Sequence, residues 1–159
     1  MKWVPVEGRD ARLTALDFGG EGPGALLLHG LAGTALEWDE TASWLRESHR
    51  VLGLDQRGHG HSERRPEDVS PSAFVSDALT AIERLNLAPT LLVGQSLGGL
   101  IAFLAASKRP DLVSALIVVE ATPTREAQRS LNRLPITSTH GRSRSPPTTM
   151  PSHSSAGRA

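Results

Sequence analysis

The stretch Thr90-Leu91-Leu92-Val93-Gly94-Gln95-Ser96-Leu97-Gly98-Gly99 decides how this chain is read. Thr90 to Val93 is a short, almost wholly apolar run of the kind found in strands covered on both faces. Leu97 to Ser107 is apolar too, but long enough for a helix, with Lys108 and Arg109 at its negative C-terminal end and Pro110 as its stop. Between them Gly94-Gln95-Ser96-Leu97-Gly98 must turn the chain sharply. A serine on such a turn is lifted clear of the backbone at the positive end of a helix, the setting that an otherwise weak hydroxyl nucleophile needs.

Working outward, the same alternation repeats. Lys2–Val6 and Arg12–Phe18 read as an opening pair of strands, divided by Gly8 and followed by a Gly/Pro cluster from Gly19 to Gly24. Ala25–Leu28 and Val51–Leu54 read as buried strands, and Ala115–Val119 as the last strand. A helix is expected from about Glu37 to Glu47, burying Trp44 and Leu45. Ser70 caps a second helix that has Pro71 at its first position. Phe74, Ala78, Ile82 and Leu85 share that helix's inner face, leaving Asp77, Glu83 and Arg84 outside. The expected class is α/β, a mostly parallel sheet with helices on both faces.

Two more segments carry chemistry. His29-Gly30-Leu31-Ala32-Gly33 follows an apolar strand directly. An oxyanion formed at Ser96 needs two N–H donors, and the backbone amides of Leu31 and Leu97 are placed to supply them. His29 reads as a brace for this loop rather than a base. Asp55-Gln56-Arg57-Gly58-His59-Gly60-His61-Ser62 reads as a turn tied down by Asp55 and Arg57. His59 and His61 have no third ligand at a metal-binding spacing, so they read as solvated loop residues, and neither a metal nor a cofactor is expected.

In this order and spacing, the His-Gly loop at 29–30, the D-x-R-G-x-G-x-S loop at 55–62 and the turn at 94–98 resemble the α/β-hydrolase family, nearest its esterase and haloperoxidase-like branch. The resemblance runs from about Trp3 to Pro123. It implies an eight-stranded, mostly parallel sheet and a serine–acid–histidine triad, with Ser96 at the nucleophile elbow and Leu31 and Leu97 at the oxyanion hole. In that family the acid and histidine follow later strands, which have no counterpart here; the fold expected is therefore an incomplete α/β-hydrolase fold. His140 and His153 follow no apolar strand, and Glu120, at the end of the last strand, reads as structural.

Composition sets the remaining bounds. Lys+Arg and Asp+Glu both number 17, so no nucleic-acid partner is indicated. The balance hides an uneven distribution: residues 124–159 carry six arginines against Glu126 alone. That segment, poor in apolar residues and rich in Ser, Thr, Pro and Arg, reads as a disordered basic tail whose composition also suits out-of-frame translation; residues 1–123 form the hydrolase-like part. Cysteine is absent, which excludes thiolate chemistry. With no apolar h-region at the N-terminus and no run near the roughly 20 residues that span a bilayer, the expectation is a cytoplasmic protein with no membrane partner. Its expected partner is a small-molecule substrate, and the activity expected is hydrolysis of esters or similar bonds, impaired for want of a base. Two other readings compete: a non-catalytic remnant of the hydrolase fold using its basic tail as a binding arm, and a nucleotide-binding α/β domain. The second lacks the middle glycine a pyrophosphate requires and leaves the His-Gly loop unexplained.

Overall fold

The computed structural model describes residues 1–121, so the segment 124–159 lies outside the described residues. Six strands, β1 (Lys2–Glu7), β2 (Arg12–Gly19), β3 (Gly24–Leu28), β4 (Arg50–Asp55), β5 (Thr90–Gln95) and β6 (Val113–Val119), form one sheet in the order β1-β2-β4-β3-β5-β6. β1 and β2 are antiparallel to their neighbours, while β4, β3, β5 and β6 run parallel. The helices are α1 (Asp39–Leu45), preceded by a 3₁₀ turn at Ala35–Trp38, α2 (Pro71–Arg84) and α3 (Leu97–Lys108).

The uniformly apolar β3 is explained by cover on both faces. Leu26 and Leu28 point into a core shared with α2 and α3, through Phe74, Ala78, Ile82, Ile101 and Ala105. Ala25 and Leu27 point to the other face, where Ala35, Ala42 and Leu45 close over them. Leu26, Leu27 and Leu28 are fully buried, each such side chain contributing about 1.5–3 kcal/mol relative to exposure. α2 begins as its sequence dictates: the Ser70 hydroxyl accepts the Ala73 N–H at 3.3 Å, with Pro71 at the first turn.

Two expectations are corrected. Trp44 is 60% exposed, not buried, because Ala42 and Leu45, three residues apart on α1, share its inward face and Trp44 lies off it. Asp77 is buried, not solvated, because it pairs with Arg57 beneath the 55–62 loop.

From β3 the chain adds β4 on one side and then returns to place β5 on the other. The carboxyl ends of β3 and β5 therefore flank a point where the winding reverses, and in open α/β sheets ligands bind at such a crevice. Leu28 pairs with Gly94 across these two strands, so the 29–33 loop and the 94–98 turn leave the sheet side by side.

Candidate active site

Ser96 sits between β5 and α3 at φ +52°, ψ −114°, a left-handed conformation that costs a non-glycine residue about 1–3 kcal/mol unless its surroundings enforce it. They do. Its N–H donates to the Val119 carbonyl at 2.9 Å, and its own carbonyl accepts the Leu100 N–H at 3.0 Å. The turn is so tight that a Cβ at Gly94 would overlap the Gly98 carbonyl, and one at Gly98 would overlap the Leu28 carbonyl. Ser96 itself remains exposed.

Leu97 is the first residue of α3, where an N–H has no intrahelical acceptor. The Leu31 N–H likewise has no acceptor among the described residues. Leu31, Ser96 and Leu97 line one cleft of about 290 Å³ together with Leu100, Glu120 and Ala121. Glu120 also leaves β6 in a left-handed conformation, and its carboxylate accepts the Gln95 side-chain amide at 3.4 Å.

His29 is fully buried, and neither ring nitrogen bonds to Ser96. Its Nδ1 donates to the Gly30 carbonyl at 2.8 Å and its Nε2 accepts the Gln56 N–H at 3.0 Å, while the Gln56 side chain donates to the His29 carbonyl at 2.7 Å. Burial holds its pKa below the ordinary histidine value, so the neutral brace is the favoured form. Asp55 is fully buried and ties the segment after β3 to the 55–62 loop: Oδ1 accepts the Ala35 N–H at 2.7 Å and Oδ2 accepts the His61 N–H at 2.7 Å. His61 packs against Trp3 in a tilted arrangement, with ring centroids 3.9 Å apart.

A family model described as alpha/beta hydrolase fold matches residues 26–137. The chain belongs to that family. The chain is 40% identical over 103 residues to an sn-1-specific diacylglycerol lipase of Mus musculus, covering 64% of this chain and 33% of that protein. It is 39% identical over 114 residues to an esterase of Mycobacterium tuberculosis, covering 70% of this chain and 37% of the other. Among solved structures, an E-2-(acetamidomethylene)succinate hydrolase superposes with a TM-score of 0.68 at 28% identity, over 72% of this chain and 42% of that one. The chain thus spans about a third of the length of the curated relatives it matches.

Within this alpha/beta hydrolase chain, the three residues singled out from the sequence, Ser96, Leu31 and Leu97, come together in one cleft. Of the histidines in the described residues, His29 and His59 brace loops, His61 contacts Asp55, and His49 contacts Ser48; none hydrogen-bonds to Ser96. His140 and His153 lie outside the described residues. No group of three or more His, Asp or Glu among the described residues is arranged to hold a metal ion, and no described helix is long and apolar enough to cross a membrane.

Sequence reasoning did not find the ion pair beneath the site. Arg57, 1% exposed, grips Asp77 with two bonds of 2.6 and 2.8 Å, and reaches Asp10 at 2.7 Å and the Asp68 carbonyl at 2.7 Å. These acidic partners raise the Arg57 pKa further, while burial pushes the Asp77 carboxyl above its ordinary value despite the guanidinium. Gln95 was missed as well, since nothing in the pattern marks the second residue of the turn as reaching Glu120.

Proposed function

We propose that this chain carries the nucleophile and oxyanion donors of a serine hydrolase acting on small molecules with ester or similar acyl bonds. The observation that carries the reading is the exposed, left-handed Ser96 sharing a cleft with two N–H groups that lack acceptors among the described residues. The relatives, an esterase, a diacylglycerol lipase and an E-2-(acetamidomethylene)succinate hydrolase, support the substrate class.

In this reading Ser96 Oγ attacks the acyl carbon, and the carbonyl π electrons move onto oxygen. The Leu31 and Leu97 amides stabilise that oxyanion. Its collapse breaks the ester C–O bond, and the departing oxygen takes up the proton lost from Ser96 and leaves as the alcohol. Water then cleaves the acyl–Oγ bond to release the acid and restore the hydroxyl. The Ser96 proton needs an acceptor, and no described imidazole is bonded to it. Loss of a triad member costs roughly 10⁴ to 10⁶ in turnover, so the expected activity is slow and best read as a single labelling event. Residues 1–123 supply the catalytic framework in this proposal.

The test is covalent labelling by a fluorophosphonate, with the adduct located by peptide mass spectrometry. Slow, saturable modification at Ser96, absent in a folded Ser96→Ala variant, is expected. No adduct at residue 96 in folded wild-type protein favours instead the non-catalytic remnant, the reading supported by a Ser96 hydroxyl that has no hydrogen-bond partner among the described residues.

A further inference from the structure

Two imidazoles hold the 29–33 loop, and the His-Gly motif accounts for only one. The other is His59, half-buried on the Gly58–Gly60 turn. Its Nδ1 lies 2.9 Å from the Arg57 carbonyl, which can only accept, so Nδ1 carries the proton. In the neutral ring Nε2 is then bare, and the Ala32 N–H donates to it at 3.3 Å. One ring thus joins the 55–62 loop to the 29–33 loop, edge-on to His29 at a centroid distance of 5.0 Å.

The joint falls where the loop needs it. The Gly33 N–H donates to the Gly30 carbonyl at 3.1 Å, closing a turn with Leu31 and Ala32 at its centre. Ala32 has φ +64°, at a turn position that favours glycine. Such a conformation persists only where neighbouring groups enforce it. The other end of the joint is rigid, because the Arg57 side chain is buried and bonded to Asp77, Asp10 and the Asp68 carbonyl.

We propose that His59 is a positioning residue for the Leu31 amide: by accepting the Ala32 N–H at Nε2 while donating from Nδ1 to the Arg57 carbonyl, it fixes the turn that aims Leu31 at the Ser96 cleft. The proposal rests on the reading of Leu31 as an oxyanion donor. The buried Arg57–Asp77 pair is thereby the anchor of a line running from α2 through His59 to the acyl site. His59 touches no reacting atom, and its effect on rate passes through the loop.

Long-range nitrogen–proton correlation spectra of the intact 159-residue chain will assign the His59 tautomer. A proton on Nδ1 and a bare Nε2 are expected. His59→Phe removes the acceptor, while His59→Gln restores one through its side-chain carbonyl. In His59→Phe, water exchange at the Ala32 amide should quicken at least about tenfold, and fluorophosphonate labelling of Ser96 should slow by about 10- to 100-fold. His59→Gln should recover most of both. A folded His59→Phe variant with wild-type Ala32 exchange and labelling rate overturns the proposal. So does a proton on Nε2 in the wild-type protein, a result that does not depend on either variant folding. Should wild-type Ser96 take no label at all, the serine-hydrolase reading fails, while the tautomer and the Ala32 exchange still decide the clamp.

Discussion

The His29 ring is sealed from solvent, with Nδ1 donating to one carbonyl and Nε2 accepting the Gln56 N–H. Protonation would place a hydrogen where that N–H already points, and burial further disfavours the charged ring. The folded pKa is accordingly lowered from 6.5, the value expected in the unfolded chain. Above that value neither state binds the proton, and the His29 contribution is constant. As pH falls below 6.5 the unfolded chain takes up a proton that the folded ring resists, and stability is lost down to the lowered folded value. The urea midpoint should therefore drop as the solution is acidified from neutral pH. His29→Gln should flatten that slope while lowering stability at neutral pH; an equally steep fall in the variant would assign the slope to other groups.

At the scale of elements, the Arg57–Asp77 pair joins the loop after β4 to the inner face of α2. Removing two charges from water is costly, and the raised Asp77 pKa reflects that cost, so the pair is a device for placement more than a net source of stability. Breaking it is another matter. Arg57→Leu leaves a buried carboxylate without a partner and should cost about 3–5 kcal/mol in denaturation, whereas the double replacement with Asp77→Leu should recover most of the loss. Equal losses in the single and double variants would contradict this account. The pair also marks the limit of what a sequence discloses. β3 and β5 were legible because a strand covered on both faces must be apolar throughout, and the elbow because its glycines have no steric alternative. Asp77 was not legible: one acid on a helix face looks solvated until a partner 20 residues earlier folds beneath it. Trp44 is misplaced by the sequence because in so short a helix the apolar spacing does not say which neighbour of Leu45 shares its face; Ala42 does. His59 looked like a free loop residue because its acceptor role depends on the fold of a different loop.

For the whole molecule, the decisive feature is β6, which pairs only with β5 among the described residues. Its seven residues, Val-Ser-Ala-Leu-Ile-Val-Val, carry no charge and no proline, the features by which exposed edge strands usually avoid pairing with other chains. The two faces of β6 differ. Leu116 packs against the core under α2 and α3, and Val118, itself 38% exposed, lies close to Gly99 of α3. Ile117 and Val119 point to the opposite face, where they remain 48% and 41% exposed. An apolar, uncharged edge of this kind is a template for strand addition, so the chain should self-associate as its concentration rises. Ile117→Lys puts a charge on the face that no described helix covers, leaving the packed side of the strand intact. It should shift the sedimentation profile toward monomer while keeping the Ser96 turn in place, because the Val119 carbonyl that holds the Ser96 N–H belongs to the backbone. Wild-type protein that stays monomeric across the accessible concentration range, with no change on introducing the lysine, would mean that the edge is already covered.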